Sequence, residues 1–484
     1  MERGRFAHGT SAALLLFVLS FVRAARAQVL VPHSAVDGAD VTTGDVRRVG
    51  GAWRRVAWDD LETTRLDPGA YELRFRADTG TDGNAISVPV CVGRGVVVVD
   101  GRAIVSGSPG PLVVPTGSGA HEVLLRLTVS AYERRIACGE HPRAGTSVRS
   151  VEGLGLITFP SGASGVHGRH DESGGGQAAI YVPPQHDLRR PRPLLVGLHP
   201  WNGSIWTYAA YATLLREARA RDVPLLMPSG LGNSLYTADA EEEVMRAVEA
   251  ASSVLAVDAQ RISLWGASMG GAGATTIAFH RPDRFASVTS FFGDSKYDLA
   301  SYVRFILPNA AAAHSVNALD IVENARSLPV WLVHGEDDRT SPVLQSAALA
   351  TAMSEHGFDV RFDRVPGAGH DGALVARFLP GVVASAATAR VDGGGARVTY
   401  RSVRARDRGA YGIHFERTSP TGDAFVDVER RPDAIHVREA EGVREIVLSP
   451  GALGASVADP PRIVFDEPRL DGAKTVTAHW EPGP

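Results

Sequence analysis

Apolar positions change their spacing twice along the chain. From residue 28 to about 150 they fall in short runs or at every second position, as at 71–75, 96–99 and 123–129, with Gly, Pro and Asp between the runs. Such alternation turns one face of a strand inward, and frequent turn residues join strand to strand, so a β-sandwich-like domain is expected there. Between about 151 and 384 short apolar runs alternate with stretches of helical period. Residues 239–255 carry Val244, Val248, Ala251 and Leu255 on one helical face, with Asp239 placed to cap and Glu242 three residues on. A buried run at 262–265 follows, then helix-like sequence at 269–280 stopped by Arg281-Pro282. From about 385 alternation returns at 396–403, 412–416, 424–428, 434–437 and 445–448, which predicts a second β-rich, sandwich-like domain.

The middle region is therefore α/β, with a doubly wound, mostly parallel sheet. Its glycine- and serine-rich start at 162–177 gives way to a run at 178–182, and the first strands are expected to be antiparallel. Further strands are expected at 194–198, 223–227, 286–292, 330–333 and 359–365, with helices at 208–220 and 342–356. The irregular stretch 293–327 is placed to cap a site, with Asp294 and Asp298 expected as solvated or capping carboxylates and, for Asp294 at a strand end, a substrate contact as the alternative.

At the first residues, Arg3 and Arg5 precede an apolar run at 12–19 that ends in Ala25-Arg26-Ala27 before Gln28. The positive flank, the short apolar stretch and the small-x-small site predict a signal peptide over 1–27, cleaved after Ala27, and hence a secreted or periplasmic protein. The expected division is then 28–150, 151–384 and 385–484. No later stretch is long and apolar enough for a membrane span.

Composition adds little. The 484 residues carry a formal net charge of -4, and no block of like charge marks a nucleic-acid or membrane patch. Lys296 and Lys474 are the only lysines among 50 basic residues, a bias of codon usage rather than function. Cys91 and Cys138 are the only cysteines, an even count in an exported protein, and are expected to bridge; closing so long a loop stabilises by roughly 4 kcal/mol in the chain-entropy treatment. A metal reading of Cys138 with His141 lacks a fourth ligand. Trp53 and Trp58 fit a polysaccharide-stacking surface or, more simply, a core. Asp78 to Asn84 resembles a calcium loop, but Pro89 stands where its bidentate glutamate belongs, so a hairpin turn is expected.

The chemistry lies at 261–273. Gly266-Ala267-Ser268-Met269-Gly270 between a buried strand and a helix reads as a nucleophile elbow, with glycines where a Cβ would obstruct the turn. The strand at 330–333 delivers His334-Gly335-Glu336-Asp337-Asp338, and that at 359–365 delivers Pro366-Gly-Ala-Gly-His370. Both turns fall at carboxyl ends of strands, where ligands gather in open α/β sheets. Serine, acid and histidine in that chain order can form a triad in which His370 takes the proton of Ser268 and the acid holds the imidazole. Asp338 is preferred to Asp337, because two residues must follow the His334-Gly335 turn before the acid points back. His334 and His199 are expected to orient their turns. Asn202-Gly-Ser204 also spells a glycosylation sequon, at a loop expected to have no room for glycan.

Residues 151–384 resemble the α/β-hydrolase superfamily. Asp258-Ala-Gln-Arg261-Ile-Ser-Leu-Trp-Gly-Ala-Ser268-Met-Gly-Gly-Ala-Gly, with His280-Arg-Pro-Asp-Arg-Phe285, is similar to two groups. One is the prolyl oligopeptidase-type serine peptidases, the other the secreted esterases of the feruloyl esterase and polyhydroxybutyrate depolymerase kind. The resemblance implies Ser268 as nucleophile, Asp338 as acid, His370 as base and the Met269 amide as one oxyanion donor. Where those families usually have His-Gly, this chain has His199-Pro200, and proline has no N–H, so Trp201 must supply the second donor. Residues 28–150 are too few for a size-filtering propeller of at least about four blades. The expectation is an exported serine hydrolase that cleaves a small or polymer-linked carboxylic ester. A peptidase acting on peptides is the alternative, and a catalytically silent polymer-binding protein the third reading. No motif implies a metal, nucleotide or organic cofactor.

Overall fold

The computed structural model describes residues 34–481 except 90, 92–93, 105–111, 130–133, 139–140, 150–152, 161–174, 188, 298–302, 304–305, 457, 467–469 and 472–473. The expected signal peptide with its Ala27 site, Asp298 and most of the glycine- and serine-rich stretch lie outside the described residues.

The central sheet has eight strands. They are β1 Gly153–Pro160, β2 Gly175–Val182, β3 Arg192–Leu198, β4 Leu225–Pro228, β5 Val257–Ala267, β6 Ser287–Phe291, β7 Val330–Gly335 and β8 Val360–Val365. Their order across the sheet is β1-β2-β4-β3-β5-β6-β7-β8. β1 and β2 run antiparallel, as do β2 and β4, while every pairing from β4 to β8 is parallel. The interior strands are buried along their central residues because helices cover both faces. Side chains alternate between two cores: Leu194, Val196 and Leu198 enter one, and Leu195 the other.

Five longer helices form the outer layers: α1 Ala212–Arg221, α2 Asp239–Val254, α3 Met269–His280, α4 Leu344–Glu355 and α5 Gly372–Thr388. α2, α3 and α4 contribute Val244, Ile277 and Leu349 to the first core; α1 and α5 contribute Leu214 and Leu379 to the second. α3 is buried on every side, and its glycines allow that, since a Cβ at Gly271 would meet the Phe291 carbonyl oxygen at 2.8 Å.

Before this sheet, a six-stranded and a four-stranded antiparallel sheet share one core, with Val46, Leu73, Val97 and Leu125 from one layer and Ile86, Val88 and Val114 from the other. Trp58 belongs to that core, edge-on to Phe75 at 5.4 Å, so it offers no sugar-stacking surface. Trp53 is half-buried, with the Arg47 and Arg74 guanidinium groups each 4.3 Å from its ring. Cys91 and Cys138 are joined, 47 residues apart in the chain. After the central sheet, two four-stranded sheets enclose Val398, Phe415, Val426 and Ile446.

This C-terminal region is fixed to the central one by a buried charge network. Glu241, 0 % exposed, lies 2.6 Å from Arg404, 2.7 Å from Arg406 and 2.7 Å from Arg281. Burial pushes the Glu241 carboxyl up, but the Arg404 and Arg406 cations outweigh it and hold the carboxyl below its ordinary value. His280 lies 2.7 Å from Asp407, which Arg404 also binds at 2.7 Å. Burial pushes the His280 imidazole down against the pull of Asp407, whose charge Arg404 balances.

Four expectations are corrected here. Ala238, at φ 47°, stands before α2 without a side-chain cap, and Asp239 lies inside the first turn, where its charge suits the helix dipole. The turn after Asp78 is no hairpin: Gly69–Asp78 pairs in the six-stranded sheet and Ala85–Val88 in the four-stranded one, so the turn crosses between layers. α5 runs to Thr388, past the boundary expected at 384. The described part of 293–327 forms a short helix, Ala310–His314, and a 3-10 stretch, Ala318–Ala325, at the far end of α3. There Thr276 donates to the Val316 carbonyl at 2.7 Å and Asn324 to the Phe279 carbonyl at 2.9 Å. That is about 12 Å or more along the helix from Ser268. It covers no elbow.

Candidate active site

Ser268 sits between the last residue of β5 and the first of α3, with φ 56° and ψ -120°. A non-glycine residue adopts that backbone only under strain, and the strain turns its hydroxyl out of the sheet. The bracketing glycines are required by contact. A Cβ at Gly266 would overlap the Gly270 backbone, and one at Gly270 would overlap the Leu198 carbonyl oxygen. Two further bonds hold the elbow: the Ser268 amide donates to the Phe291 carbonyl at 2.9 Å, and the Tyr208 hydroxyl donates to the Leu198 carbonyl at 2.8 Å while accepting from the Ala267 amide at 2.9 Å.

Asp338 stands in the turn after β7. Its Oδ1 accepts from the Thr340 and Ser341 amides at 2.8 and 3.0 Å, and its Oδ2 lies 2.7 Å from Nδ1 of His370. Burial alone would raise its carboxyl, but hydrogen bonds from His334 and His370 and from the Ser341 amide hold it well below the ordinary carboxylate range. It is thus an ionised acceptor, able to keep the His370 proton on Nδ1 and leave Nε2 to act as a base. Asp337 is exposed, and its amide donates to the Ala368 carbonyl at 2.9 Å, so it ties the turn to the histidine loop rather than meeting the imidazole.

The histidine loop meets the elbow through Phe291 and Phe292. Phe291 takes the Ser268 amide, and the Phe292 ring lies 4.3 Å from the His370 ring. Phe292 has φ 39°, the sort of local strain that collects at functional sites. His334, fully buried, places Nδ1 2.8 Å from the Ser346 hydroxyl and Nε2 2.9 Å from the Ser341 carbonyl and 3.4 Å from Asp338 Oδ2. Asp294, at the strand end, is buried and accepts from the Ser341 hydroxyl at 2.6 Å, bracing the same turn.

The loop after β3 closes the other side. His199 lies between the Pro200 and Ser229 carbonyls, each at 2.8 Å, and so orients the turn, while burial pushes its imidazole below its ordinary value. Tyr236 donates to the His199 carbonyl at 3.1 Å. Asn202, at φ 60°, exchanges bonds with Asn233, its amide donating at 2.7 Å and its carboxamide oxygen accepting at 2.8 Å. The sequon side chain is thereby engaged. Trp201 occupies the same turn, half-buried, and the Met269 amide is among the first of α3, without an intrahelical acceptor. Tyr208, Phe292, Ser341, Asn233 and Tyr236 were not foreseen from sequence. Each acts through contacts between distant segments, which no local pattern encodes.

Among the described residues no group of His, Cys, Asp and Glu could hold a metal ion, and no helix is long and apolar enough to cross a membrane.

Residues 232–379, a span holding Ser268, Asp338 and His370, match the prolyl oligopeptidase family. No curated protein matches the chain in sequence. Among solved structures, an S-formylglutathione hydrolase from Agrobacterium tumefaciens is 19% identical, covers 50% of this chain and 98% of its own, and has a TM-score of 0.43. A ferulic acid esterase is 16% identical over 49% of this chain and 98% of its own, at a TM-score of 0.40. A puromycin-hydrolyzing peptidase from Mycobacterium tuberculosis is 18% identical over 54% of this chain and 43% of its own, also at 0.40. These likenesses are weak, and the assignment rests on the family match and on the strand order of the central sheet. The chain is a serine hydrolase built on an α/β-hydrolase domain.

Proposed function

We propose that the protein is a secreted carboxylic ester hydrolase working through an acyl-enzyme. Ser268 is the nucleophile, His370 the general base and then acid, and Asp338 the group that orients and charge-balances the imidazole. Attack of the Ser268 hydroxyl on the carbonyl passes its proton to Nε2 of His370, which returns it to the departing alcohol; water then repeats the sequence on the acyl-enzyme. The Met269 and Trp201 amides are the proposed oxyanion donors, and Pro200 makes Trp201 the first residue of that turn able to donate. The observation that carries this reading is the 2.7 Å contact of His370 Nδ1 with Asp338 Oδ2, together with a strained serine at the elbow after β5.

The wider organisation is part of the proposal: a signal peptide over 1–27, a β-sandwich-like domain to about 150, the catalytic domain extended to Thr388, and a second β-sandwich-like domain. The Cys91–Cys138 bridge supports an oxidising compartment. The family match favours a second reading, a peptidase. Against it, the two antiparallel layers before the catalytic sheet are no ring of blades to sieve peptides. One preparation assayed on aryl, feruloyl and acetyl esters and on proline-containing peptide amides separates the two. A kcat/KM at least about tenfold higher on esters supports the esterase; a preference for the amides overturns it.

A further inference from the structure

Arg135 is carried by the N-terminal β region yet only 1 % exposed. Its segment alternates between two cores. Ile136 and Cys138 enter the N-terminal one, Ala137 enters the core shared with Leu214 and Leu379, and the Arg135 guanidinium lies 4.0 Å from the Tyr211 ring. The guanidinium donates to the Glu62 carbonyl at 3.3 Å and to the Gly372 carbonyl. Gly372 opens α5 two residues after His370, and a Cβ there would meet Arg135 Nη2 at 2.5 Å, so the guanidinium in this place sits against bare backbone. The residue between them, Asp371, caps α5 through the Leu374 amide at 3.1 Å and pairs with Arg65 at 3.4 Å. On the neighbouring helix, the Glu62 carboxylate accepts from the Ala212 amide and, at 3.2 Å, from the Thr213 hydroxyl, capping α1. The N-terminal region therefore grips the starts of α1 and α5, and α5 begins at the histidine loop.

A buried guanidinium costs several kcal/mol unless its donors are met, and an apolar side chain would fill the same space with less penalty. What it adds is direction. We propose that Arg135 is a positioning residue: by binding the Gly372 carbonyl it fixes the loop that carries His370, and so sets the reach of the imidazole toward Ser268. The proposal rests on the Ser268, Asp338 and His370 reading above. Cys138, three residues on and bridged to Cys91, anchors the arm that delivers the guanidinium. The N-terminal region then contributes to turnover without supplying a reacting atom.

The test compares full-length wild type, Arg135→Met and Arg135→Lys on an aryl acetate, counting competent sites by the burst from a chromogenic phosphonate mapped to its labelled residue. Displacing a base by about 1 Å costs on the order of a hundredfold. The expected result is a kcat per titrated site about a hundredfold lower in Arg135→Met and about tenfold lower in Arg135→Lys, with KM within about threefold of wild type. A group that only supports the fold would lower melting temperature and titratable fraction and leave kcat per site alone. Wild-type kcat per site in either variant overturns the proposal. If Arg135→Met gives no soluble chain, Arg135→Lys, which keeps charge and stem, decides. Failure of the phosphonate to label Ser268 in wild type sinks the triad reading instead, a distinct outcome.

Discussion

Asp338 and His370 meet through a single oxygen. Oδ2 of the carboxylate lies 2.7 Å from Nδ1 of the imidazole, while Oδ1 is taken by the amides of Thr340 and Ser341. The division orients the carboxyl plane, and in Asp338→Asn the same amides would keep the carboxamide oxygen on their side and turn its NH2 toward Nδ1. The imidazole would then hold its proton on the wrong nitrogen. A fall in kcat of roughly ten-thousandfold is expected in steady-state ester hydrolysis, with little change in melting temperature. A loss under about tenfold would remove Asp338 from the triad.

The backbone at Ser268 carries strain that only function justifies. Glycine adopts φ 56° and ψ -120° without a Cβ penalty. Ser268→Gly is therefore expected to be inactive and more stable, by about 1 kcal/mol in urea unfolding. Equal or lower stability would mean the elbow is relaxed.

Glu241 joins α2 to the C-terminal region through Arg404 and Arg406, and to the end of α3 through Arg281. Removing its charge takes one carboxylate from the buried Arg404, which keeps Asp407, and Glu241→Gln is expected to lose about 3 kcal/mol at neutral pH. Because its folded carboxyl is depressed, the stability it supplies is present above the ordinary glutamate range and is lost as pH falls through the folded value. The gap between wild type and variant in urea midpoint should thus close below about pH 4. A gap unchanged by acid would assign the loss to packing.

The Cys91–Cys138 bridge closes a loop of 47 residues. The double variant Cys91→Ser with Cys138→Ser should lose about 4 kcal/mol in the chain-entropy treatment. Its melting temperature, compared with that of reduced wild type, checks this. Agreement between the two would show that the bridge, not the serine substitutions, carries the stability.

Much of this was legible in the sequence where burial imposes a period. β3 and β5 to β8 follow from apolar runs, α3 spans Met269–His280 as expected, and Ser268, Asp338 and His370 each fall at the carboxyl end of a strand. The rest depends on long-range contacts. The carboxylate of Asp294 and the turn after Asp78 look like ligands in one dimension, but the first is spent on Ser341 and the second crosses between sheets. The stretch 293–327 has the composition of a cap, yet its apolar residues Val316, Ile321 and Val322 join the core beside α3. Arg135 gave no signal at all, because a buried arginine is recognised only by what surrounds it.

The central claim is that Ser268 is made nucleophilic by His370. An organophosphonate probe with intact-mass and peptide mapping tests it directly. The account expects stoichiometric labelling at Ser268, none in Ser268→Ala, and labelling at least about a hundredfold slower in His370→Ala. Labelling of Ser268→Ala at the wild-type rate, or of His370→Ala without slowing, would contradict it.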